Sequence, residues 1–126
     1  MKSVITAVIL LIVLLLLISG YSMRLSNISE SINKELYKLK EELPNENIDK
    51  IKYRLNNIEK IWERSYKMML SFNDHNDVVN VSNSLSSAMI YAERENYDEL
   101  CKSLSDFDIH FDLLMKSNMV TITNIM

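Results

Sequence analysis

From Val4 to Ile18 the chain is apolar at every position except Thr6, and the run stays uncharged through Ser19, Gly20 and Tyr21. Beyond it the pattern changes to single apolar positions spaced three or four apart, the signature of helices with one buried face. Leu25, Ile28, Ile32, Leu36, Leu39 and Leu43 mark the first such stretch, which Pro44 ends because its ring clashes with the preceding turn. Ile48, Ile51, Leu55, Ile58, Trp62 and Met69 mark the second, with Asn47 placed to cap it. Val78, Val81, Leu85, Ala88 and Ala92 form the third, after the cap-rich segment Asn73-Asp74-His75-Asn76-Asp77. Tyr97, Leu100, Leu104, Phe107, Phe111 and Leu114 form the fourth, where Asn96 and Glu99 give a variant capping box.

One-sided stripes must be buried against one another, and short connections make consecutive helices antiparallel neighbours. The fold class expected is all-α: an N-terminal transmembrane helix over residues 1–21, then an antiparallel bundle of about four helices over residues 22–126. The first bundle helix can continue the apolar helix as one rod from about Val4 to Leu43, roughly 60 Å long at 1.5 Å per residue. Past Asn118 the alternation Val120-Thr121-Ile122-Thr123 favours extended backbone, so a short extended C-terminal tail is expected, pinned by Val120, Ile122 and Ile125.

The 18 uncharged residues from Val4 to Tyr21 lie near the minimum for a spanning helix, about 17, and exceed the ~7–15 of a signal-peptide core. Tyr21 and Arg24 suit the headgroup zone. Cleavage would use Ile18-Ser19-Gly20, where the large Ile18 occupies a position that prefers a small residue. An uncleaved anchor is therefore the expectation, and a cleaved signal with a secreted domain is the alternative. The short positive N-terminus, Met1 and Lys2, places the N-terminus in the cytoplasm and the bundle outside. Arg24, Lys34, Lys38 and Lys40 beyond the span count the other way. The lipid bilayer is the first expected partner.

Composition narrows the function. There is one glycine, Gly20, and one proline in 126 residues, against roughly 7% and 5% in ordinary chains. No glycine-rich phosphate loop can be built. The net charge of −3 argues against nucleic acid, which needs clustered Lys and Arg. Residues 22–72 carry 10 basic and 8 acidic side chains, and residues 73–126 carry 3 and 9. Such halves complement each other within one fold, or the acidic half faces a basic partner. The single cysteine, Cys101, excludes an internal disulfide and a cysteine-based zinc site; beside the Leu100–Leu104 seam it reads as a small buried residue.

The densest polar cluster is Asp106, Asp108, His110 and Asp112. On a helix Asp106 and His110 share one face while Asp108 and Asp112 share another, so the pairs cannot close one metal site. His75 reads as a cap or loop residue. No Gly-x-Ser-x-Gly elbow supports a serine nucleophile. No CxxCH is present for haem, and the methionines at 68, 69, 89 and 115 read as core filling. No catalytic residue, cofactor site or metal site is expected, and the chain is read as a non-enzyme. Trp62 and Tyr66, near the stripe of the second helix, read first as core packing, with a partner-binding surface as the alternative; together with Asp106, Asp108, His110 and Asp112 they are the candidate interaction surface.

Several of these points resemble a family of small, single-span bacterial membrane proteins known as a domain of unknown function and found mainly in spore-forming, low-GC Gram-positive bacteria. They are the apolar N-terminal span, Trp62 in the second bundle helix and Asp74-His75-Asn76-Asp77 before the third. Asn96-Tyr97-Asp98 between the last two helices and Asn124-Ile125 near the C-terminus complete the set. The resemblance implies no activity, cofactor or partner. Two functions are expected in order: an interaction or scaffold module contacting an envelope protein or a second copy, and an extracytoplasmic ligand-sensing domain acting through a partner.

Overall fold

In the computed structural model, which describes the backbone of residues 1–125 and the side chains of residues 1–118, the chain forms four long helices. Helix α1 runs unbroken from Lys2 to Glu42, about 60 Å at 1.5 Å per residue. Its two halves differ in burial, not in backbone. From Val4 to Leu17 every side chain is exposed, and the first buried one is Leu25. Gly20 lies inside the helix without breaking it. A short 3₁₀ turn at Leu43–Asn45 carries Pro44 in its first turn, and Glu46 in the left-handed region (φ 50°) turns the chain back.

Helix α2 spans Ile48–Phe72, capped by Asn47, whose side chain accepts from the Lys50 N–H at 3.3 Å. Helix α3 spans His75–Glu93, capped by Asp74, which accepts from the Asn76 N–H at 2.8 Å. Two backbone bonds close its far end: Asn96 N–H to the Tyr91 carbonyl at 3.0 Å and Glu95 N–H to the Ala92 carbonyl at 3.1 Å. This is the Schellman closure, with Glu95 (φ 52°) where glycine is usual. Asn96 accepts from the Glu99 N–H at 3.3 Å and starts α4, Tyr97–Ile125.

The four helices run antiparallel in sequence order. At the end distant from the apolar half of α1, the Tyr97 hydroxyl donates to the Glu46 carbonyl at 3.0 Å, and Lys52 meets Glu93 at 3.4 Å. Further along, Lys40 of α1 pairs with Asp108 of α4 at 2.8 Å. At the near end Tyr21 of α1 reaches Asn118 of α4. The four stripes meet in one core, in which Ile32, Leu39, Ile51, Leu55, Ile58, Val78, Val81, Leu100, Phe107 and Phe111 are fully enclosed. Each such large apolar side chain contributes about 1.5–3 kcal/mol by leaving water. The rings of Phe107 and Phe111 stack at 5.7 Å, and Trp62 meets Phe111 edge-on at 6.3 Å.

Two expectations are corrected. The backbone past Asn118 is helical to Ile125, not extended. β-Branched residues disfavour helix by only tenths of a kcal/mol each, while each residue added to an existing helix gains a hydrogen bond without a new nucleation step. The pinning assigned to Val120, Ile122 and Ile125 lies outside the described side chains. Cys101 is exposed, not buried. The seam advances through Leu100, Leu104, Phe107 and Phe111, and the residue after Leu100 is rotated ~100° away from it.

Candidate functional site

Three polar features stand out against this core. The first is the shallow groove between α2 and α3. Trp62 forms its floor, almost fully buried, with the indole N–H donating to the Ser82 hydroxyl at 2.7 Å. Tyr66, one turn on, meets Trp62 edge-on at 6.4 Å. Glu59, Glu63, Leu85, Ser86 and Met89 complete a depression of about 270 Å³. Trp62 is thus a core residue that shows the groove one edge, and Tyr66 is half-buried beside it. Glu59 titrates above the usual carboxylate range, chiefly through burial, with repulsion from Glu63 and a hydrogen bond to it adding to the shift. A second depression of about 330 Å³ continues along the same helices past Met89, lined by Asp49, Lys52, Tyr53, Asn56 and Glu93 among others. Both are open grooves at the small end of ligand-site volumes.

The second feature is the α4 cluster, which the structure disperses. Asp108 faces α1 and pairs with Lys40, while Asp112 pairs with Lys116 one turn along α4 at 2.9 Å. Asp106 lines a depression toward α3 with Asn83, Ser87, Glu99 and Lys102. His110 is half-buried. None of these lines the α2–α3 depression with Trp62 and Tyr66. No three His, Cys, Asp or Glu side chains converge on a point among the described residues. His75 occupies the first turn of α3, exposed, directly after its cap Asp74.

The third feature was not legible in the sequence: a polar knot where the apolar half of α1 meets the bundle. The Tyr21 hydroxyl donates to the side-chain oxygen of Asn118. The Asn118 amide in turn donates to the Leu114 carbonyl at 2.7 Å. The Asn73 amide donates to the Met69 carbonyl at 2.9 Å and approaches the Tyr21 oxygen at 3.5 Å. The Tyr21 ring lies against Phe72 at 4.4 Å. Residues from α1, α4 and the α2–α3 turn therefore close the near end of the bundle together. Asn118 is buried with both its amide oxygen and its amide nitrogen hydrogen-bonded, so this knot fixes helix ends relative to one another. A similar bracket ties α1 to α2, where Glu35 accepts from Arg54 at 3.1 Å and from Asn57 at 3.3 Å.

Fold and surface together define a four-helix protein whose first helix projects from the bundle as a bare apolar rod. The family model for the domain of unknown function DUF4363 matches residues 21–125, and the chain belongs to that family. Comparison with curated proteins and with solved structures gives no match.

Proposed function

We propose that this chain is a non-enzymatic interaction module anchored in a membrane by the first half of α1, with its bundle on the extracytoplasmic side. The carrying observation is the unpartnered apolar rod. Lys2 and Arg24 bracket 21 uncharged residues, and the most apolar stretch of this helix has no residue buried against the rest of the chain. Exposing such a run to water is strongly unfavourable at about 25 cal/mol per Å², and a bilayer removes that cost. A signal sequence has the same look, so the intact mass of the membrane-extracted protein separates the two. An uncleaved chain that stays in the pellet after alkaline carbonate treatment is expected; a mature protein beginning after Gly20 in the soluble fraction would defeat the anchor.

The proposed orientation puts Lys2, directly before the apolar run, on the cytoplasmic side. A C-terminal alkaline phosphatase fusion is expected to be active, and an inactive fusion would place the bundle in the cytoplasm. The interaction role is supported by apolar side chains on outer faces of the bundle, notably Ile109 and Leu113 one turn apart on α4 and Tyr37 on α1. Its partner is an envelope protein or a second copy of the chain. Co-purification in mild detergent is expected to recover one of these, and Ile109→Ser with Leu113→Ser to weaken the recovery. A pure monomer from both would end the scaffold reading.

A further inference from the structure

On the α1–α2 side of the bundle, just beyond the polar knot, a groove of about 250 Å³ is lined by Arg24, Asn27, Ile28, Arg64, Ser65 and Met68. No carboxylate lines it. Both arginines are exposed, and neither forms an ion pair or hydrogen bond among the described residues. By contrast Arg54, on the same helix as Arg64, is engaged by Glu35. Ser65 commits its hydroxyl proton to the Ile61 carbonyl at 2.8 Å. The free donors in the groove are therefore the two guanidiniums and the Asn27 amide, above an apolar floor of Ile28 and Met68. That combination suits an anion carrying an apolar body, and guanidinium forks match phosphate oxygens well.

Depth identifies the anion. Arg24 lies three residues past Tyr21, about 4.5 Å along the helix axis. Ser65 lies seven residues before Phe72, whose ring touches Tyr21, so it sits about 10 Å above that level. The headgroup layer on each side of a bilayer is about 5–7 Å thick. With Tyr21 at the edge of the bilayer, Arg24 lies inside that layer, while Ser65 and the Arg64 backbone stand a few ångströms beyond it, within reach of the long Arg64 side chain. We infer that the groove walled by Arg24 and Arg64 seats the phosphate of one anionic phospholipid, with Asn27 as a further donor and Ile28 and Met68 against the carbons of its headgroup. The inference rests on the membrane reading of α1 and adds a lipid class and two recognising residues to it.

The test uses the full chain extracted in mild detergent. Phosphatidylglycerol and phosphatidylcholine are added in turn, and bound lipid is counted by native mass spectrometry. Retention of one phosphatidylglycerol in preference to phosphatidylcholine is expected. Arg24→Gln and Arg64→Gln should each weaken it about 5-fold, as expected for one basic side chain at a membrane surface. Lys34→Gln with Lys102→Gln, a charge-matched pair outside the groove, should leave it unchanged. Equal retention of the two lipids, or full retention by the double arginine variant with native helicity, would overturn the site. Loss of the bound lipid to sodium phosphate but not to sodium chloride of equal ionic strength would assign the groove to a free anion and overturn the lipid. A chain that carbonate strips from membranes fails the anchor itself, whereas an anchored chain without lipid preference fails only the groove.

Discussion

At the scale of the residue, Trp62 and Glu59 show how one turn of α2 holds a core residue and a titrating surface residue side by side. The Trp62 indole is buried and its N–H has a single acceptor, Ser82. Ser82→Ala removes that acceptor and leaves the donor enclosed, at an expected cost of about 1–3 kcal/mol. Trp62→Ala also opens a cavity beside Phe111 and should cost about 3–5 kcal/mol. Both are read from thermal melts followed by far-ultraviolet circular dichroism, and a Ser82→Ala protein as stable as the parent would void the hydrogen-bond account. Glu59 holds its proton more tightly folded than unfolded, because burial and Glu63 disfavour its charge. A raised carboxyl contributes stability at acid pH that is lost as pH climbs through its folded titration point. Glu59→Gln should therefore melt higher than the parent near neutral pH. The gap should close below the ordinary carboxylate value of 4.5, and a pH-independent gap would contradict the assignment.

At the scale of the element, the caps and closures decide where helices stop. Glu95 sits at the left-handed position of the α3 closure, a conformation that costs a side chain about 1–2 kcal/mol and glycine almost nothing. Glu95→Gly is expected to raise stability by about 1 kcal/mol, provided the two closing backbone bonds persist; a lower melting temperature would show that the Glu95 side chain holds the turn. The four apolar stripes, Pro44 as a terminator, the caps at Asn47 and Asn96 and the cap-rich segment that holds Asp74 were readable, because each acts within four or five residues of itself. The helical end of α4 was not, since Val120-Thr121-Ile122-Thr123 states a local preference that propagation from a long helix overrides. The outward turn of Cys101 follows from its phase on the helix, which its neighbours Leu100 and Leu104 obscured. Glu46 and Glu95 adopt left-handed backbone that glutamate does not announce.

At the scale of the whole molecule, the parts that sequence patterns missed join residues far apart in the chain. Tyr21 and Asn118 are 97 positions apart, and Asn73 is 52 from Tyr21. Arg24 and Arg64 come together only because α1 and α2 are antiparallel. No periodicity reports such meetings, although the topology that produces them was legible. The same topology predicts that the two halves of α1 are separable. The core begins at Leu25 and the knot at Tyr21, so a chain lacking residues 1–20 should leave the membrane fraction. It should also keep its helicity and a melting temperature close to that of the full chain. Collapse of that shorter chain would show that the apolar half is needed for the bundle to fold.

In the anchored protein proposed above, α1, one unbroken helix across its apolar and bundle halves, would act as a single lever with its fulcrum at the membrane surface. Some 21 residues, or about 30 Å, separate Tyr21 from Glu42. A tilt of about 20°, ordinary for a spanning helix, swings the far turn at Pro44 sideways by about 10 Å. For that anchored protein, a change in bilayer thickness that alters the tilt would be converted into lateral travel of the distal loops through the one continuous helix.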